Sequence, residues 1–327
     1  MNILTYIYNQ YLKYKNPDAT LGFARFLIRG GLALLGAGVL WSLSINSEIF
    51  SLPVEIAVDS SNTSVTGVLM ITVGLVMATF RVMTMNSRLT GLLVVHRGME
   101  GMEVTAVQSA LPKSFSKGRL DYIDLYEGHQ LDQGKVFRPE SALKAISNLP
   151  RQISSRLGEK ASQEVKLAYA GLAPVPFLVA AGYVITSRQK CFVMDFKRGS
   201  GWHCLDAIDD GDELCFKNPN QMGNADIGVI ISFSAEISEA QLPEGLRDYT
   251  YFVGLSNGAR ADSLNSEGKQ LRVSQELYTF LANLKAKHQG IERVHIFMAA
   301  QASFSFRLGT IITASVHPAI HVYQYDP

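Results

Sequence analysis

The chain has 327 residues, of which 47% are hydrophobic, and its formal net charge is +1. A mean hydropathy of +0.10 is high for a purely water-soluble protein, so membrane-spanning segments are expected. The near-neutral charge argues against long nucleic acid as a partner, whereas a small anionic ligand needs only a few local donors. The three cysteines, without a CxxC pair, predict reduced thiols and no metal site.

Two apolar segments near the N-terminus have the length of membrane spans. Residues 27–45 contain one charge, Arg29, near their start, and residues 65–85 contain one, Arg81, near their end. A helix of about 20 residues crosses about 30 Å of hydrocarbon, and a long arginine near its end can reach the headgroups. Lysine and arginine flank the outer ends of both segments, but residues 46–64 contain neither. The positive-inside rule therefore predicts a transmembrane hairpin with both termini in the cytoplasm.

Residues 1–85 are thus assigned to the N-terminal segment and hairpin, and residues 86–115 to a linker. Within that linker, Leu92–His96 could extend the second helix or form a short strand. Beyond it, apolar strands alternate with helices, which indicates an α/β fold with buried parallel sheets. In chain order the pattern predicts strand 119–128, helix 139–164 interrupted near Pro150, strand 166–170, helix 176–185, strand 191–196, strands 226–233 and 249–255, helix 271–287, strand 294–299, helix 303–314 and strand 320–325.

One strand–turn–helix pattern occurs twice. "KLAYAGLAPVPFLVAAGYVIT" (Lys166–Thr186) aligns with "VHIFMAAQASFSFRLGTIIT" (Val294–Thr313) without a gap when Gly182 is placed over Gly309. Ligands of open α/β sheets bind where strands end and helices begin, and the N–H groups of a helix start favour phosphate. Two such units side by side would direct two helix starts at one pocket. The duplication therefore suits a pseudo-symmetric ligand with several phosphates.

The C-terminal segment "VHIFMAAQASFSFRLGTIITASVHPAIHVYQYDP" resembles the last segment of SAVED domains. It has an apolar strand, a small-residue turn, a helix with an internal glycine, and a closing strand that ends in an aromatic–acid pair. "YAGLAPVPFLVAAGYVI", followed by "FVMDFKRGSGWHCL", is similar to the matching segment of the first half of that domain. The resemblance extends over residues 116–327.

This resemblance implies two fused CARF-like, Rossmann-type units, at 116–215 and 216–327, after the two-helix transmembrane region (the TM-SAVED type). It implies a cyclic di- or trinucleotide ligand, no cofactor and no catalytic residues. It also implies an effector of the bacterial anti-phage systems called CBASS, with the SAVED domain on the cytoplasmic side of the inner membrane. Ligand binding would drive self-association, and the assembled chains would disrupt the lipid bilayer.

Two other functions stay open on the sequence. One is a membrane-anchored enzyme that processes nucleotides, for which His203, His295, His317 and His321 are candidate bases. The chain has no GxSxG, Walker, HExxH or GxGxxG motif, so a receptor without enzymatic activity is favoured. The other is a non-catalytic membrane scaffold, which would bind no nucleotide.

The candidate ligand contacts lie in the two turns and in nearby polar segments. The second turn has small residues, which let a phosphate approach backbone N–H groups, whereas Pro174 in the first turn donates no N–H and favours contact with bases. An arginine one turn into the second helix, an arginine in a long Gly/Asn/Ser loop and a tryptophan that could stack on a base complete the set. The predicted contacts are Gly171, Leu172, Ala173, Pro174, Trp202, Arg260, Ala300, Gln301, Ala302, Ser303 and Arg307.

Overall fold

The computed structural model describes residues 17–40, 60–86, 89–98, 102–115, 119–126, 131–132, 135–136, 138–157, 165–185 and 191–324. The chain divides into two compact units, Met1–Arg88 and Leu89–Pro327.

The first unit is a pair of helices, α1 (Pro17–Leu40) and α2 (Ser60–Asn86), which pack through small residues. A Cβ atom added to Gly31 would lie 2.6 Å from the carbonyl oxygen of Gly67, and one added to Gly74 would lie 3.0 Å from that of Ala24. These contacts repeat after two helical turns on both helices and run in opposite directions. The small residues therefore let two antiparallel backbones approach closely.

The other surfaces of this helix pair carry exposed apolar side chains. The hydroxyl groups of Thr72 and Thr79 donate to the carbonyl oxygens of Val68 and Leu75, one turn earlier in the same helix.

Neither helix, over its described residues, combines the length and the apolarity that a membrane crossing requires. Residues 41–45 of the predicted first span lie outside the described part. The large exposed apolar residues are Phe23, Phe26, Leu32, Val65, Val68, Leu69, Val73, Leu75, Val76 and Phe80.

Over its described residues, the second unit contains two five-stranded sheets, and its strands alternate with helices as the sequence pattern predicted. The first has the strand order β2-β1-β5-β6-β7, in which the first four strands are parallel and β7 is an antiparallel edge. The strands are β1 (Leu89–Arg97), β2 (Arg119–Asp124), β5 (Lys166–Leu172), β6 (Cys191–Lys197) and β7 (Gly201–Cys204). The helices around it are α3 (Val104–Ala110), α4 (Pro139–Ser147), α5 (Leu149–Leu157) and α6 (Val175–Ile185), and a two-stranded ribbon comprises β3 (Leu131–Asp132) and β4 (Lys135–Val136).

The second sheet has the order β12-β11-β9-β10-β8, again with four parallel strands and one antiparallel edge strand. Its four parallel strands follow the order of the first sheet, so β2, β1, β5 and β6 correspond to β10, β9, β11 and β12. The strands are β8 (Leu214–Lys217), β9 (Asp226–Ser232), β10 (Thr250–Leu255), β11 (Arg293–Ala299) and β12 (Ala319–Tyr323), and the helices are α7 (Glu267–Lys287) and α8 (Ala302–Ile311).

Two strand pairings lie at the predicted domain boundaries. Strand β1 and helix α3 fall within the expected linker, yet β1 pairs with both β2 and β5 inside the first sheet. Leu92–His96 therefore takes the strand alternative, because its apolar residues Leu92–Val95 are buried between two neighbouring strands. The division predicted at about residue 215 falls within β8 (Leu214–Lys217), which pairs with β10 of the second sheet.

The predicted helix at 139–164 is two helices over its described residues. Helix α4 ends at Ser147 and α5 begins at Leu149, so Pro150 lies in the first turn of the new helix. A proline is tolerated there because the N–H groups of a first turn have no partner within the helix. The interruption predicted at this proline is confirmed, and residues 158–164 lie outside the described part.

The two copies of the repeat meet where α6 and α8 cross. A Cβ atom added to Gly182 would lie 1.9 Å from the carbonyl oxygen of Phe306, and one added to Gly309 would lie 1.9 Å from that of Val179. Val179 and Phe306 are themselves equivalent in the repeat. Val179 packs into the core of the second half, and Phe306 packs into the core of the first, where its ring stacks on Tyr169 at 3.8 Å between centroids. The repeat therefore joins the two halves through equivalent residues.

Candidate functional site

The carboxyl-terminal edges of the two sheets adjoin. A side chain from each half accepts a hydrogen bond from the first turn of a helix in the other half, α8 for the first half and α6 for the second. Asp195 in β6 and Gln324 after β12 are equivalent positions, each following the last residue in register with its neighbouring strand. The N–H of Ser303 in α8 donates to Oδ1 of Asp195 at 3.4 Å. The N–H of Val175 in α6 donates to Oε1 of Gln324 at 2.9 Å. Both helix starts proposed for phosphate therefore hold an oxygen atom of the protein.

Asp195 is the centre of a polar cluster between the halves, although its side chain is only 1% exposed. Gln301 donates from Nε2 to Oδ2 of Asp195 at 2.6 Å and to Oδ1 of Asn265 at 2.7 Å. Oε1 of Gln301 accepts from the N–H of Leu264 at 2.6 Å. Gln301 therefore links the first sheet to the loop that precedes α7.

Burial raises the pKa of the Asp195 carboxyl, and hydrogen bonds from the Phe196 N–H and from Ser303 partly offset this effect. His203, directly opposite Asp195 on β7, adds a smaller effect in the lowering direction. Neither ring nitrogen of His203 has a hydrogen-bond partner among the described residues. The cluster thus places a buried acid beside an imidazole at the strand ends of the first sheet.

Ser303 and Arg307 lie inside this cluster. The Ser303 hydroxyl accepts from Nε2 of the buried Gln270 at 2.8 Å. Oε1 of Gln270 accepts from Nε of Arg307 at 3.0 Å, and the Arg307 side chain is only 8% exposed. Burial lowers the pKa of Arg307, while the charge of Glu267, 3.9 Å away, acts to raise it. Because both residues are buried, a ligand would reach them only if the cluster rearranged.

The predicted contact Arg260 is held by carboxylates. It donates to Asp210 at 2.9 Å and to Asp212 at 3.1 Å, both in the connector between the two sheets. The same loop reaches the first half through an ion pair of Asp262 with Lys197, at 2.9 Å. The loop therefore bridges the two halves, and Arg260 helps to fix its position.

The remaining predicted contacts are spread over both halves. Gly171 and Leu172 form the end of β5 rather than a turn, and Pro174 is buried and precedes α6. Trp202 lies half-buried on β7, edge-on to Phe196 at 5.4 Å between centroids. Three small residues pack at the rims of the cores: Ala173 and Ala302 against the first, and Ala300 against the second.

A comparison with protein families identifies the second unit. The family model of SAVED, the "SMODS-associated and fused to various effectors sensor domain", matches residues 149–327, more than half of the chain. The chain belongs to the SAVED family. The match begins with α5, so β1 and β2, which complete the first sheet, lie before it. None of the curated proteins compared with the chain matches it.

The solved structures to which the chain is similar include receptors that contain a SAVED/CARF domain. The Cap4 SAVED/CARF-domain containing receptor of Acinetobacter baumannii, in complex with the cyclic trinucleotide 2'3'3'-cAAA, is 13% identical, with a TM-score of 0.48 over 81% of this chain and 56% of that one. The corresponding receptor of Moraxella osloensis is 15% identical, with a TM-score of 0.41 over 81% of this chain and 54% of that one. The chain thus spans just over half the length of these receptors.

Several residues of this SAVED site escaped the sequence analysis. Asp195 gave the clearest signal, because it is a lone carboxylate within the apolar strand "CFVMDFK". Gln270 lies on a helix with many polar residues, and Gln324 lies near the chain end, so neither stood out. Gln301 and Ser303 were identified, but as ligand contacts rather than as partners of Asp195.

The two side chains that accept from the helix starts, Asp195 and Gln324, should contribute differently to stability. We expect Asp195→Ala to lower the free energy of unfolding by about 1–3 kcal/mol, because it leaves the buried N–H of Ser303 without its acceptor and removes one of the two acceptors of Gln301. Gln324 is exposed, so water can replace its amide, and Gln324→Ala should cost less than about 1 kcal/mol. Urea unfolding of the two variants measures this difference. Equal losses would contradict the central position assigned to Asp195.

Proposed function

We propose that this protein is a membrane effector of a CBASS-type anti-phage system, gated by a cyclic di- or trinucleotide that binds to its SAVED domain. The observation that carries this proposal is the SAVED match, a sensor family, over residues 149–327. The adjoining strand ends of the two halves support it, because ligands of parallel sheets bind at that edge. The pseudo-symmetry of the halves suits a cyclic ligand with repeated units.

The hairpin is proposed as the effector element, in the bacterial inner membrane with both termini and the SAVED domain in the cytoplasm. Its exposed apolar side chains and the internally bonded threonine hydroxyls suit a medium that offers few hydrogen bonds. The absence of Lys and Arg from residues 46–64 supports the orientation. Two helices are too few to enclose a pore, so a breach needs several chains, assembled when ligand binds. On this proposal the damage is physical and not enzymatic.

Binding and leakage can be measured on the same full-length protein. We expect calorimetry in detergent to find one member of a panel of cyclic di- and trinucleotides that binds. The same compound should release dye from vesicles that contain the protein, whereas Gly31→Leu, which separates the helices of the hairpin, should keep binding and lose leakage. Chromatography of the incubated ligand distinguishes a receptor from an enzyme, because only an enzyme converts it. Failure of every panel member to bind would favour a scaffold.

Orientation needs its own measurement, with single cysteines in a background without native ones. Ser200 is exposed on the β6–β7 turn, whereas Ser266 is buried at the start of α7 and would report poorly. A cysteine at residue 200 should resist an impermeant thiol reagent on intact cells, and one at residue 51 should react. The reverse pattern would contradict the proposed topology.

A further inference from the structure

Arg97 occupies the edge of the first sheet where a ligand is expected. It is the last residue of β1. After β1 the chain continues through α3 to β2, which is its neighbour on one side in the sheet. After β5, its neighbour on the other side, the chain continues through α6 to β6, in the opposite direction across the sheet. Such a change of direction opens a crevice at the carboxyl ends of the two strands. The following Gly98 donates to the carbonyl oxygen of Leu172 at 2.8 Å. Arg97 therefore lies beside the crevice between β1 and β5.

The guanidinium of Arg97 is held in one plane by the protein. Nε donates to Oδ1 of Asp124 at 2.9 Å, Nη2 donates to Oδ2 of the same carboxylate, and Nη1 donates to the carbonyl oxygen of Met102 at 3.2 Å. Cζ of Arg97 lies over the ring of Tyr126, 4.3 Å from the ring centroid. The side chain nevertheless remains 23% exposed.

This arrangement limits what Arg97 can bind. Three of its five N–H groups already donate to protein oxygens, and two of these bind the carboxylate of Asp124, whose negative charge would repel a phosphate. Stacking needs only the flat face of the group, which hydrogen bonds in its plane leave open. Nucleobases stack on guanidinium planes as they do on aromatic rings.

We propose that the face of the Arg97 guanidinium opposite Tyr126 is a stacking platform for one nucleobase of the cyclic ligand. The inference rests on the proposed function and adds a base-recognition residue to it. Tyr126, Arg97 and the base would form a three-layer stack, with Asp124 setting the orientation of the middle layer. If Arg97 only joined the ends of β1 and β2, it would need its ion pair with Asp124 but not a planar guanidinium.

Arg97→Lys separates these two roles, because lysine keeps the charge and loses the planar face. Its matched control is Arg156→Lys, which alters an arginine that pairs with Asp121 of the same strand β2 at 2.8 Å. Both variants are compared with the wild type as full-length protein in detergent, by calorimetry against cyclic di- and trinucleotides that differ only in their bases.

We expect Arg97→Lys to weaken binding of the tightest panel member by about 5- to 100-fold and to reduce the preference among bases. Its melting temperature should stay within about 2 °C of that of the wild type, and Arg156→Lys should bind as the wild type does. Unchanged affinity, or a lower melting temperature with an unchanged base preference, overturns the stacking role while the proposed function stands. A wild-type protein that binds no panel member overturns the proposed function and this inference together.

Discussion

Gly182→Ala and Gly309→Ala should each lower the free energy of unfolding by about 3 kcal/mol, the upper end for an overpacked core. The new methyl carbon would start 1.9 Å from a backbone carbonyl oxygen of the other half, that of Phe306 or of Val179. Backbone atoms cannot rotate aside as a side chain can, so the two helices must separate. Since glycine to alanine within a helix otherwise stabilises by about 1 kcal/mol, a loss of stability isolates the effect of the crossing.

Urea unfolding of full-length protein measures this effect, with Gly245→Ala as the control. A Cβ atom added to Gly245 meets nothing within 4 Å, so this variant should stay within about 0.5 kcal/mol of the wild type. The crossing also helps to hold the two strand edges together, beside the Asp195 cluster and the Asp262–Lys197 ion pair. The glycine variants should therefore lose ligand affinity as well, and wild-type stability in either of them would show that the halves are joined in another way.

A second large effect is expected at Asp212, where a buried ion pair ties the connector between the sheets to α7. The side chains of Asp212 and Lys269 are 0% and 1% exposed, and their charged atoms are 3.2 Å apart. Asp212 also accepts from the Ser256 hydroxyl, the Asn257 N–H and Arg260. Asp212→Asn leaves the Lys269 ammonium buried without its full counter-charge, so we expect a loss of about 3 kcal/mol.

This expected loss is at the lower end of the range for breaking a buried ion pair, because Lys269 keeps a second partner, Asp210, 2.7 Å away. Asp209→Asn is the matched control in the same connector. Asp209 pairs with Arg272, and both side chains are about one-third exposed, so its loss should cost less than about 1 kcal/mol. Equal effects of the two variants in urea unfolding would contradict the special position of Asp212.

Asp212 should also make stability depend on pH. Burial acts to raise the pKa of its carboxyl, but the hydrogen bonds from Ser256, the Asn257 N–H and Lys269 outweigh burial and hold it well below its usual range. A carboxyl with a lowered pKa in the folded state stabilises fully above its unfolded pKa, about 3.9, and loses this contribution as the pH falls further. The wild type should therefore lose stability below about pH 4 more steeply than Asp212→Asn.

The strands of the larger unit could be predicted closely because burial on both faces requires continuous apolar runs. Residues 166–170, 226–233 and 294–299 each agree with an observed strand to within two residues at either end. Leu92–His96 was ambiguous because a short apolar run suits a buried strand and the end of a helix equally well. Only its pairing with β2 and β5 decides between them.

The site was harder to predict than the strands because its contacts join segments that are distant in the chain. The sequence by itself identified the two α/β halves, the repeat and the helix starts at residues 176 and 303, since these depend on local pattern. It could not show that Asp195 and Gln324 already occupy those starts, because each comes from the opposite half. The burial of Arg307 likewise depends on which face of α8 packs against Gln270. The tertiary structure alone decides these points, because they depend on how the two halves pack against each other.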